Sequence, residues 1–151
     1  MKKLVFVLLA IISCSLLIPS CGSSTPTAAT PVLRLEIKSA VGTKWDSKTG
    51  LEFYILPIDR QGKLVAVAGT VEAKLFLTPL YAPAVREEQV QQWSNLKVSA
   101  SDFDAVKGAR LQVEYRNYQP TVVQHGLLDV TLQTKDGKKF TASVQDVVLR
   151  Q

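Results

Sequence analysis

Residues 127–144 read LLDVTLQTKDGKKFTASV and carry the clearest structural signal in the chain. In the first half, apolar residues at 128, 130 and 132 alternate with polar residues at 129, 131 and 133, which is the period of a half-buried strand. The Asp136-Gly137 pair that follows is the strongest short-range signal for a β-hairpin. The second half returns with Phe140, Ala142 and Val144 on one face. We therefore predict two antiparallel strands that share one apolar face.

Similar alternation recurs towards the N-terminus. It predicts further strands in four runs, at residues 33–38, 51–56, 71–77 and 110–116, with a bend or bulge near Gly69. Residues 85–93 fit either a strand or a helical turn. Residues 101–106 have the pattern of a short helix, with Ser101 as its N-cap and Gly108 just beyond its end.

Strands with one apolar and one polar face favour antiparallel sheets whose apolar faces cover each other. We therefore predict that residues 32–151 form an all-β domain, a two-sheet antiparallel β-sandwich of about seven or eight strands. The strand count, spacing and length resemble an immunoglobulin or fibronectin type III sandwich, although the Cys…Trp…Cys pattern of antibody domains is absent. A small closed β-barrel is the alternative fold.

The N-terminus has the features of a secretory signal. Residues 1–3 read MKK, and a mostly apolar run follows from 4 to 18, which matches the charged head and apolar body of such a signal. This run is shorter than the roughly 20 apolar residues of a membrane span, so a retained anchor helix is the less favoured interpretation.

The apolar run ends in IPSC, residues 18–21. This ending resembles the lipobox of bacterial lipoproteins, in which an aliphatic residue stands three positions before a cysteine and a small residue directly precedes it. Ile18 and Ser20 match those positions. The resemblance implies a signal peptide at 1–20, cleavage before Cys21 and lipid attached to Cys21. Cys14 is a rival, but its use would leave an apolar run at the start of the mature chain.

Residues 22–31 read GSSTPTAATP and predict a flexible tether between Cys21 and the domain. If Cys14 leaves with the predicted signal peptide, the mature chain has one cysteine and no internal disulfide. The expected location is the cell envelope. The lipid would hold the protein on the outer membrane in a Gram-negative host, and on the exterior of the plasma membrane otherwise.

The charge balance is mild. The full chain carries +5, and without Lys2 and Lys3 it has 16 basic and 13 acidic residues, interspersed with one another. No basic stripe of the kind that binds nucleic acid is present, so we expect no nucleic-acid partner. A weak attraction to anionic lipid head groups is compatible with this balance, and so is an ordinary solvated surface.

We find no persuasive catalytic pattern in the sequence. His125 is the single histidine, and a serine-centred strand-to-helix elbow of the Gly-x-Ser-x-Gly type does not occur. Asp102 and Asp104 could supply oxygen ligands to calcium, but their place at a predicted helix start, where capping and the helix dipole favour acids, explains them fully. We predict no enzyme activity, no cofactor and no metal site.

Aromatic residues in or near predicted loops are the remaining candidates for a site. They are Trp45, Tyr81, Trp93 and Tyr118. Exposed aromatic side chains suit flat apolar partners such as a protein surface or a sugar ring. The alternative is that the two tryptophans plug the ends of the sandwich.

Together these features predict a membrane-anchored lipoprotein that acts as a non-enzymatic binding or scaffolding module, with a protein or carbohydrate as partner. Two alternatives stay open. One is a small-ligand or carbohydrate-binding protein, or an envelope enzyme with an unrecognised site. The other is a purely structural protein of the envelope.

Overall fold

The computed structural model describes residues 31–45, 48–120 and 122–149. The predicted signal peptide, Cys21 and the predicted tether up to residue 30 lie outside these ranges. Among the described residues, no helix is both long and apolar enough to cross a membrane.

The described chain is almost entirely extended, and one turn of 3-10 helix spans Ala100–Asp102. The strands are β1 (Arg34–Trp45), β2 (Lys48–Ile58), β3 (Gly69–Leu77), β4 (Gln89–Val98), β5 (Phe103–Asp104), β6 (Gly108–Glu114), β7 (Gln124–Thr134) and β8 (Lys139–Leu149). The all-β class and the predicted number of strands are therefore confirmed.

All eight strands belong to one hydrogen-bonded sheet in the order β4-β3-β7-β8-β1-β2-β6-β5. Six of the neighbouring pairs are antiparallel, whereas β1 and β8 are parallel, with Val41 opposite Val148. The prediction of purely antiparallel pairing is thus wrong for this pair. The predicted division into two separate sheets is not confirmed.

The hairpin predicted at 127–144 is confirmed as β7 and β8. Leu132 lies opposite Phe140, and Val130 lies opposite Ala142. The turn closes through a hydrogen bond from the amide of Thr134 to the carbonyl of Lys138, 2.9 Å long. Gly137 has a φ of 84°, a left-handed conformation that glycine adopts at little cost. The Asp-Gly signal therefore located this turn correctly.

The short helix predicted at 101–106 is wrong in extent. The single 3-10 turn begins earlier, and the Asp102 carboxylate accepts the backbone N–H of Ser99 at 2.7 Å. Phe103 and Asp104 then extend and pair with Ala109 and Gly108 as an edge strand. Sheet pairing has overridden the local helical preference here.

The sheet has one continuous buried face. Side chains from seven strands meet in a single core that includes Leu35, Phe53, Leu75, Trp93, Val113, Leu128 and Leu149. Both β4, at one end of the strand order, and β6, next to the last strand at the other end, contribute to this core. The sheet is therefore curled around its apolar side chains, as burial of this area requires.

Two side chains of β4 connect the sheet across its curl. Trp93 donates its indole N–H to the carbonyl of Glu114 at 2.8 Å. The Gln91 amide oxygen accepts the backbone N–H groups of Arg116 at 3.1 Å and Asn117 at 3.3 Å. In the hydrogen-bonded order, β4 is six positions away from β6, so these bonds close the curl directly.

The strands run between two ends of the domain. The described chain enters at Pro31, which lines a groove together with Lys135 and Lys138 of the β7–β8 turn. We call this the entry end. The opposite, or far, end carries the ends of β1, β3, β6 and β8 and the starts of β2, β4 and β7. Because β7 alone has 11 residues, the two ends stand about 35 Å apart.

We predict that Gln91→Leu lowers the free energy of unfolding by about 2 kcal/mol, because two backbone N–H groups lose their shared acceptor. Gln92→Leu is the matched control, since Gln92 is exposed and bonds only near the surface; its effect should stay below about 0.5 kcal/mol. Urea denaturation of both variants measures the difference. Equal stability of the two would contradict the assigned role of Gln91.

Candidate partner-binding site

The far end exposes a group of large apolar side chains. Exposed fractions reach 75% for Leu80, 90% for Tyr81 and 67% for Val123. Val85 and Val122 are also more than half exposed. We call these five residues the far-end cluster. They occupy the β3–β4 and β6–β7 loops, and such a concentration at one end of a domain is typical of an interaction surface.

A cleft of about 300 Å³ opens between these two loops. It is lined by Leu77, Thr78, Leu80, Glu87, Val123, Gln124 and His125. Leu80 and Val123 of the far-end cluster thus form part of its wall. The cleft is where the two apolar loops approach each other.

Two buried polar atoms in the residues that line this cleft have no hydrogen-bond partner within the described part of the chain. They are the hydroxyl oxygen of Thr78, a residue only 8% exposed, and Nδ1 of His125. The backbone of the same pair is joined, since the Thr78 N–H donates to the His125 carbonyl at 3.2 Å. A buried polar atom without a partner costs about 1–3 kcal/mol. Both atoms are themselves closed to solvent, so a ligand group would reach them only after a local opening of the cleft.

The β3–β4 loop is held in place before any partner arrives. Arg86 forms a bidentate pair with Asp129 of β7, with bonds of 2.9 and 3.1 Å. Its guanidinium also lies 5.6 Å from the centre of the Phe76 ring. These contacts fix the C-terminal side of the loop to the sheet, which reduces the ordering cost of binding.

The four aromatic residues singled out by sequence fall into different settings. Tyr81 belongs to the far-end cluster, and Trp45 is the last residue of β1, also at the far end. Tyr118 is half-buried, and its hydroxyl donates to the Gln124 amide oxygen. Trp93 is only 4% exposed, so it follows the alternative interpretation in which a tryptophan fills the core.

Trp93 begins a row of three aromatic rings that runs towards the far end. Its ring centre lies 6.2 Å from that of Tyr115, which in turn packs edge-on against Tyr118 at 5.8 Å. Burial raises the pKa of both tyrosine hydroxyls, so that both stay neutral at physiological pH. The row therefore packs part of the β6–β7 loop against Trp93 of β4 and adds no charge to the site.

His125 lies in β7 and is half-buried, and Glu87 is the acidic residue that lines its cleft. Within the described ranges, no group of three or more His, Cys, Asp or Glu residues is placed to hold a metal ion. Asp102 and Asp104 accept backbone N–H groups, at 2.7 Å for Asp102 and at 2.8 and 2.9 Å for Asp104. Their carboxylates therefore serve to shape the chain between β4 and β6.

No family model, curated protein or solved structure matches this chain.

Sequence reasoning located Tyr81 but missed the rest of the far-end cluster and the cleft. The available signal was the presence of apolar residues inside two proline-containing loops, at 79–85 and 120–123. Loops of that composition expose their apolar side chains unless the core reaches them. The pairing of Thr78 with His125 had no signal, because it joins residues 47 positions apart in the sequence.

We predict that Arg86→Gln loosens the β3–β4 loop while the core stays intact. Amide hydrogen exchange at residues 79–88 should accelerate several-fold, and the free energy of unfolding should fall by about 1 kcal/mol or less. Arg34→Gln is the control, because Arg34 pairs with Glu36 on its own strand. Unchanged exchange in the loop of Arg86→Gln would show that this ion pair does not hold it.

Proposed function

We propose that this protein is a lipid-anchored lipoprotein of the bacterial cell envelope whose domain binds a partner, without catalysis, through its far end. The observation that carries the binding role is the far-end cluster, which places five exposed apolar residues at the end opposite to chain entry. With a tether at one end and a contact surface at the other, the domain would expose its binding surface on the side away from the membrane.

The anchoring part of the proposal is supported by the lipobox-like sequence that ends in Cys21 and by the tether that follows it. Two or three fatty chains hold a protein on a membrane far more firmly than one chain does. The proposed location is the outer membrane in a Gram-negative host and the exterior of the plasma membrane otherwise.

For the domain itself, we propose that the two halves of the curled sheet, β4-β3-β7-β8 and β1-β2-β6-β5, face each other as in a sandwich. The bonds from Gln91 and Trp93 to the chain around the end of β6 support this packing. A small closed barrel is the alternative. The loops at the end of a sandwich are common contact surfaces.

The proposed partner is a protein or carbohydrate that brings an apolar surface to the cluster and a polar group to the cleft. The unpartnered atoms of Thr78 and His125 support the second requirement. They equally favour the alternative of a small polar ligand bound in the cleft alone. A small ligand would leave Tyr81 and Val122 uncovered, so substitutions at these two residues separate the alternatives.

We predict that Cys21→Ser abolishes incorporation of a labelled fatty acid and releases a folded domain from the membrane fraction. Every residue of the described core lies between Leu35 and Leu149, so the fold should be unaffected. Cys14→Ser is the matched control and should keep both the label and the membrane location. Persistent labelling of Cys21→Ser would contradict lipid attachment at this residue.

A photo-crosslinking residue at Val123 should form an adduct with the partner in whole cells, whereas the same residue at Val106 should not. Val106 is a suitable control because it is 73% exposed but lies near the entry end. We expect Trp45→Ala combined with Tyr81→Ala to weaken the adduct at least tenfold, the usual scale for the loss of interface aromatics. An adduct of unchanged yield would disprove this assignment of the surface.

A further inference from the structure

The entry end of the domain is rich in lysine. Lys135, Lys138 and Lys139 lie in or beside the β7–β8 turn, and Lys97 lines the same groove as Lys135. Lys63 lies in the turn after β2, whose last residue, Ile58, accepts a backbone hydrogen bond from Leu33 at the chain entry. All five lysines are exposed.

The acidic residues at this end are used in turns. Asp59 is buried and accepts the N–H groups of Gln61 and Lys63, while Asp136 accepts the Thr134 hydroxyl and pairs with Lys138 at 3.1 Å. Asp102 and Asp104 accept backbone N–H groups, as described above. These hydrogen bonds hold the pKa values of Asp102, Asp104 and Asp136 below their usual range, so all three stay charged.

Basic residues nevertheless outnumber acidic ones at the entry end. Residues 58–69, 97–108 and 133–139 contain seven lysines and arginines against four aspartates, a local balance of +3. Among these lysines, only Lys138 forms an ion pair within the described ranges. The other lysines therefore have charges available for an external anion.

The far end has no such excess of positive charge. Lys48 pairs with Glu114 at 3.0 Å, and Arg86 pairs with Asp129, so these charges compensate one another. Glu87 and Glu88 add negative charge at this end, and Lys44 and Arg116 add an equal positive charge. An anionic surface would therefore attract the entry end more strongly than the far end.

We infer that the entry end docks on anionic lipid head groups and orients the domain so that the far-end cluster points away from the membrane. This inference rests on the proposed lipid anchor. The predicted tether has a reach of roughly 15–20 Å, which keeps the entry-end lysines close to the bilayer on which Cys21 would be held. Each lysine near an anionic membrane strengthens the contact about fivefold.

The test uses the lipidated protein purified from membranes and reconstituted into vesicles. A fluorophore is attached through Gln61→Cys at the entry end or Val122→Cys at the far end, and lipids that carry a quencher in the head group report its height. With 30% phosphatidylglycerol, quenching at 61 should exceed quenching at 122 at least twofold. In neutral phosphatidylcholine vesicles, or in 0.5 M NaCl, this ratio should fall towards one, because salt screens the attraction.

Two charge variants complete the test. Lys97→Gln, Lys135→Gln and Lys139→Gln together should reduce the quenching ratio in anionic vesicles to the neutral value. Lys44→Gln, Lys48→Gln and Lys74→Gln together remove the same charge away from the entry end and should leave the ratio unchanged. An equal loss in both variants, or a ratio that ignores lipid charge, would overturn the inference. Failure of the protein to float with any vesicle would instead contradict the lipid anchor.

Discussion

The contacts that Gln91 and Trp93 make with the chain around the end of β6 hold the whole domain in shape. A single sheet with one apolar face is not stable while that face is open to water. Curling the sheet covers this face. It also brings β4 close to the end of β6, although these two strands are not hydrogen-bonded neighbours in the sheet. Gln91 and Trp93 supply those missing bonds through their side chains.

The curl also explains why the domain has two chemically different ends. All of the longer strands run along the same axis, so their turns and loops collect at the entry end or at the far end. The parallel pairing of β1 with β8 places the start of the chain beside the β7–β8 turn. The entry end carries the exposed lysines, whereas the β3–β4 and β6–β7 loops meet at the far end and expose apolar side chains.

Strand positions were largely predictable, because alternation records which side of a strand faces the core. This alternation no longer marked the strands where the backbone departs from regular β-strand geometry. Ser39 has a φ of 52° and lies in an irregularity of the pairing between Lys38 and Val41. The alternation of apolar residues breaks there, although β1 continues to Trp45. Asn95, with a φ of 60°, similarly interrupts β4 just after residues 85–93, whose sequence left strand and helical turn undecided.

Contacts between distant parts of the chain were beyond prediction. The burial of Trp93 depends on Tyr115 and Glu114, and the cleft depends on the approach of Thr78 to His125. Local sequence shows that Gln91 and Thr78 are polar, but it does not show which atoms they meet. The all-β class was therefore accessible from sequence, whereas the closure of the sheet and most of the candidate site required the structure.

The claim that ties these features together is that the chain reaches its membrane through a lipid at Cys21, which gives the two ends their different roles. Intact-mass spectrometry of the protein extracted from cell membranes tests it most directly. The account predicts a chain that begins at Cys21 and carries the added mass of its fatty acyl groups. A chain that still begins at Met1 and carries no acyl mass would contradict it.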